Sequence, residues 1–214
     1  MNTNSRPGNN TRNALGIQAA VCQTPETLIN ELSEIDIHRA LHKKSSTAKN
    51  LARSAPQQHR AEMEKLLNIG LYVQQRFEMI QKLPKQDING ALAIFLYGIW
   101  SVNNKGSRIP GKAFAQLIVS THEVMANWGN FINEYYNSPL GKRQSLYETF
   151  AMIGNWLLMI QYHLNGQLDD TTMNNVKIMV HEIITRSLKI YPESIFIDQE
   201  GHLALVPLTQ ESSV

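Results

Sequence analysis

Between Thr24 and Leu188 apolar residues recur every three to four positions, the period of helices that each bury one face. Thr24, Pro25 and Glu26 make a helix start, because a threonine side chain accepts an orphan backbone N–H and proline tolerates the first helical position. A helix or a pair of helices is predicted from there to about Ser54. Pro56 opens the next, whose stripe runs through Met63, Leu67, Leu71, Phe77 and Ile80 until Pro84. Asp87 is a good N-cap for Ile88 to Val102, where the Ala, Leu and Ile content favours a buried helix over a strand, although periodicity alone does not decide it. Asn103 to Gly106 ends that segment as a turn.

Past Pro110 the pattern resumes at Phe114 and continues through Leu117, Ile118, Met125, Trp128 and Tyr135, with Gly129 as a kink or break. Ser138 and Pro139 restart it, and Leu146, Phe150, Ile153, Leu157, Ile160 and Leu164 form the row expected for the central helix, stopped by Asn165 and Gly166. Asp169 or Asp170 caps the last helix, with Val176, Val180, Ile184 and Leu188 facing inward. Ile195 to Ile197 and His202 to Leu205 read either as a small hairpin or as an extended tail. The expected fold is all-α: one irregular, orthogonal bundle of six or seven helices. Its expected limits are a flexible arm over 1–23, a helical domain over 24–192 and an acidic tail over 193–214.

Composition narrows the function classes. Apolar residues make up 43% of the chain, enough for a real core, and the net charge of +2 is too small to diagnose a nucleic-acid partner. Cys22 is the only cysteine, so an internal disulfide is excluded and a cytoplasmic setting fits. The longest uncharged apolar run, Ala91 to Val102, is about twelve residues against the roughly twenty that span a bilayer. The stretch Ala14 to Cys22 departs from a lipoprotein signal in its brevity, in Gln18 and in Val21 before the cysteine.

Candidate chemistry is thin. Gly106 to Ala113 matches a phosphate-binding loop except at the final position, where Ala113 cannot hold a magnesium ion, and a helix precedes it where that motif needs a strand. A polar loop with Pro110 starting the next helix accounts for the same letters. His122–Glu123 and His181–Glu182 lack the second histidine of the zinc-protease pattern, since Ala126 and Thr185 stand four residues on. His38 and His42 have the spacing that puts two rings on one side of a helix, yet a metal needs a third ligand that the sequence does not identify. No catalytic residue, metal ligand, cofactor or small-molecule substrate is therefore assigned. The aromatic residues Tyr135, Tyr136, Tyr147, Trp156 and Tyr162 read as core packing.

The clearest compositional feature is electrostatic. Arg39, Lys43, Lys44, Lys49, Arg53 and Arg60 stand in a segment without one acidic residue, whereas the chain beyond Tyr191 carries Glu193, Asp198, Glu200 and Glu211 and no Lys or Arg. These six cations are the candidate interaction surface. A solvated helix face is the bland reading, an acidic protein partner the functional one, and a weak nucleic-acid contact through 39–60 the alternative, disfavoured by the absence of interleaved aromatics.

Asn50, Leu51 and Ala52, then Trp100, the Gly106 to Pro110 loop, Arg143, Gln144 with Glu148, and Gly201 resemble a bacterial all-α domain family of unknown function over roughly 48–209. The resemblance implies a fold and no chemistry. By analogy of character alone, the chain is also similar to small helical adaptors of bacterial secretion systems, in size, tails and lack of chemical residues. The reading with most support is a non-enzymatic interaction protein: an adaptor, a chaperone or a small subunit. The alternative is an enzyme whose site is scattered over helices, drawing on His122, His163 and His181 with Glu123, Glu148 or Glu182.

Overall fold

The computed structural model describes residues 23–127, 131–163 and 170–206. Among them are nine α-helices: α1 (Pro25–Asn30), α2 (Glu34–His42), α3 (Ser46–Ala52), α4 (Arg60–Gln81), α5 (Ile88–Asn103), α6 (Phe114–Asn127), α7 (Phe131–Asn137), α8 (Leu140–His163) and α9 (Asp170–Leu188). A two-stranded antiparallel hairpin, β1 (Ile195–Ile197) with β2 (Leu203–Leu205), follows; Phe196 is paired with Ala204. The all-α bundle is as expected, and the additional helices come chiefly from the first segment. There Thr24, Ser33 and Ser45 each begin a separate short helix by accepting backbone N–H groups, and Ser33 forms a reciprocal capping box with Asp36.

The core is built on α4, α5 and α8. Every residue of α5 from Gly90 to Val102 is buried, which explains why its sequence lacks a polar face; it shares the centre with α8. Glycine permits their contact. A Cβ at Gly154 would stand 2.7 Å from the Phe95 backbone, one at Gly98 2.8 Å from the Gly154 carbonyl, and one at Gly70 2.8 Å from the Met152 carbonyl. The three helices therefore meet backbone to backbone, with Phe95 and Phe150 packed at 4.9 Å between ring centroids. Burying such a ring contributes roughly 1.5–3 kcal/mol.

The short helices α1, α2 and α3 cover α4, with α1 and α3 also reaching α8, while α6 lies on α5. The hairpin closes over α6 and α5, with Ile195, Ile197 and Leu203 buried, so residues 193–206 take the folded of the two readings. Ser120 Oγ accepts the Leu203 N–H at 2.8 Å, and Gly201, at φ +89°, lets the turn close on the Ala113 carbonyl. The arm over 1–22, Cys22, Trp128, Gly129, the stop at Asn165 and Gly166, the cap Asp169 and the tail beyond Val206 lie outside the described residues. No helix among those described is long and apolar enough to cross a membrane.

Candidate functional site

The most distinctive chemistry surrounds the connection from α4 to α5. Lys82 ends α4 in a left-handed conformation at φ 55°, and the Leu83 N–H returns to the Glu78 carbonyl at 2.9 Å, closing the last turn. Pro84 prevents further helix, Gln86 is left-handed at φ 61°, and Asp87 caps α5 through the N–H groups of Asn89 and Gly90. Beneath this loop lies Glu78, a buried carboxyl. Tyr147 donates to its Oε1 at 2.8 Å, Gln74 to the same oxygen at 3.1 Å, and the Gln86 N–H to Oε2 at 3.0 Å. Burial pushes its pKa above the ordinary value despite these donors, and the neighbouring Asp87, itself raised by burial, adds to the effect.

Two concavities flank the loop and share Lys82, Leu83, Lys85 and Gln86 as a common wall. One, of about 470 Å³, gathers Lys43 from just past α2 with Lys82 and Lys85, and Met79 stands exposed beside them. The other, of about 400 Å³, has Ile88, Ile118 and Tyr135 as its floor and reaches Arg143 of α8. Among the described residues none of Lys43, Lys82 and Lys85 forms an ion pair. The one acid lining the first groove is Glu78, whose oxygens are turned to its buried donors. That groove is therefore positive with little counter-charge.

The six basic residues singled out in the sequence are all exposed, and they divide. Lys43 joins the groove; Lys44 lines a separate crevice with Glu64 and Lys65; Arg60 donates from Nε to the Ala55 carbonyl at 3.1 Å. Lys49 and Arg53 stand at the solvent side of α3, and Arg39 is beside Tyr72. Lys82 and Lys85 were missed, although two lysines around Leu83–Pro84 in an interhelical connection are themselves a signal of an exposed basic loop.

Other candidates resolve into structural roles. His38 and His42 do meet, with Nε2 atoms 3.2 Å apart on an exposed face, without a third ligand grouped with them among the described residues. His122 Nδ1 pairs with Asn89, His181 lies against Tyr191, and Glu182 faces Arg186. Glu148 accepts from Ser45 and Gln144. His122, His181, Glu148 and Glu182 are thus engaged with separate partners and Glu123 is exposed; the His163 side chain lies outside the described residues. In the Gly106 to Ala113 loop, Gly106 adopts φ +82° against Gln161, and the Arg108 guanidinium sits 4.0 Å from the Tyr162 ring centroid. Asp198, Glu200 and His202 converge at the hairpin turn, where Asp198 accepts the N–H groups of Glu200 and His202 and so shapes the turn.

A family model described as a family of unknown function, DUF6683, matches residues 6–204. No curated protein and no solved structure matches the chain.

Proposed function

The chain belongs to this family of unknown function, and from that premise we propose that it is a non-enzymatic protein-interaction module of the bacterial cytoplasm. Its role is that of an adaptor, chaperone or small subunit of a larger assembly such as a secretion system. The docking element is the groove beside the α4–α5 loop, and its occupant is an acidic segment of a partner protein. The observation that carries this reading is the convergence of Lys43, Lys82 and Lys85, from two separated parts of the chain, around an exposed Met79. Unpaired cations around an apolar centre attract carboxylates at long range and hold an apolar side chain at contact. A linear basic run on one helix face would supply only the first.

A photo-reactive amino acid at Met79, introduced in the native host, tests the proposal. One partner cross-linked through an acidic segment, and lost when Lys43, Lys82 and Lys85 are changed to Glu, is the expected result. Adducts no different from those of the same probe at exposed Ile178 of α9 would overturn it.

A further inference from the structure

The second concavity, on the α6–α8 side of the loop, carries a different chemistry. Its floor is apolar and closed: Ile88, Ile118 and Tyr135 are each less than a tenth exposed. Its volume of about 400 Å³ falls in the range of small-molecule sites. At one end stands Arg143, whose Nε is buried and has no acceptor among the described residues. The one acid in the lining does not serve it. Asp87 spends its carboxylate on the Asn89 and Gly90 N–H groups as the cap of α5, and Gln144 is committed to Glu148. A guanidinium carries further N–H donors on its two terminal nitrogens, and one that lines a concavity with an apolar floor is complementary to an anion with an apolar body.

We propose that this pocket binds a small amphipathic carboxylate, its acid group on Arg143 and its aromatic or short alkyl body on Ile88, Ile118 and Tyr135. Lys82 and Lys85 at the shared wall favour the same charge. Asp87 is the opposing charge in the same lining, and the three cations Lys82, Lys85 and Arg143 outnumber it. The proposal concerns a different cavity from the docking groove and stands independently of it.

Phenylpropionate is the probe, and phenylpropanol, of the same shape without the charge, its control. Methyl resonances of Ile88 and Ile118 are followed by NMR during titration of the full chain. Saturable shifts with phenylpropionate are expected, weakened at least about tenfold in phenylpropanol and in Arg143→Met, the loss that a charge-assisted hydrogen bond implies. Should Arg143→Met unfold, Leu140→Asp serves instead, since Leu140 is an exposed rim residue whose replacement places a like charge at the mouth. Its expected loss is also about tenfold. No saturable shift up to about 10 mM, beyond the millimolar affinity of weak ligands, overturns the proposal. So does equal binding of the alcohol, or undiminished binding in the folded variant.

Discussion

Ser45 Oγ donates to Glu148 Oε2 at 2.6 Å, joining the entry of α3 to the middle of the sequence-distant helix α8. The same hydroxyl oxygen accepts the N–H groups of Thr47 and Ala48, so one serine both caps a short helix and anchors it to the core. Gln144 steadies Glu148 from the previous turn at 2.7 Å. Gln144 and Glu148, which carry part of the family resemblance, are thus a structural fastening.

Ser45→Ala removes the cap and leaves a half-buried carboxylate short of a donor. A loss of about 1–3 kcal/mol in urea unfolding is expected, with Ser45→Thr largely restoring it. A change below about 0.5 kcal/mol, the scale of an ordinary surface substitution, would show that α3 is held by packing alone.

Two glycines of α8 predict opposite outcomes. Gly154→Ala drives a Cβ into the Phe95 backbone and is expected to cost about 3 kcal/mol or more, because backbone cannot rotate aside as a side chain can. Gly141→Ala, in the first turn of the same α8, meets nothing within 4 Å and is expected to be neutral or to stabilise by up to about 1 kcal/mol. Melting temperatures of the two variants check the contrast; equal effects would contradict the close approach of α5 and α8.

Two carboxyls should pull the pH dependence of stability in opposite directions. Tyr72 first, then Ser33 and Arg76, hold Asp36 well below the ordinary carboxylate range, so its contribution is full above that range and is lost as pH falls below it toward the lowered value. Burial holds Glu78 above the ordinary range, so the folded state keeps this proton longer than the unfolded chain does. Its contribution is greatest in acid and declines as pH rises toward the raised value. Unfolding free energies against pH for Asp36→Asn and Glu78→Gln, each subtracted from wild type, should therefore slope with opposite signs. A hydrogen bond lost in either variant shifts its curve without changing that slope, and parallel curves would refute the assignment.

Charge reversal separates the basic residues that the fold unites from those it leaves apart. Lys43→Glu, Lys82→Glu and Lys85→Glu should each reduce cross-linking through Met79, by about 2- to 10-fold for rim charges, and more at low salt. Lys49→Glu, Arg53→Glu and Arg60→Glu should leave the yield nearly unchanged. If the second group matters as much as the first, the linear basic segment, and not the groove, is the docking element.

Much of the architecture was legible because it is local. Thr24 with Pro25, Asp87 and the stripes of α4, α6 and α9 act within a few residues of themselves, and the helices appear where those signals stand. The split of 24–54 into three helices was also written locally, in Ser33 with Asp36 and in Ser45, but helical periodicity across so short a stretch outweighed it. The centre was legible by other means. The pattern pointed to α8 as central, and α8 does share the centre with α5; the buried helix at α5 was read from its Ala, Leu and Ile content, because a helix without a polar face carries no amphipathic signal.

The candidate sites were hardly legible at all. Residue order by itself determined that this is a helical chain with capped segments, a basic entry and a hairpin-capable end, since each rests on interactions between near neighbours. Only the tertiary structure decided that Lys43 meets Lys82 and Lys85, that Glu78 is sealed beneath Gln86, and that the Arg143 Nε faces no acceptor. Those relations depend on how the chain returns upon itself. The return is set by backbone-tight contacts at Gly70, Gly98 and Gly154, whose significance appears only when the helix on the other side is in place.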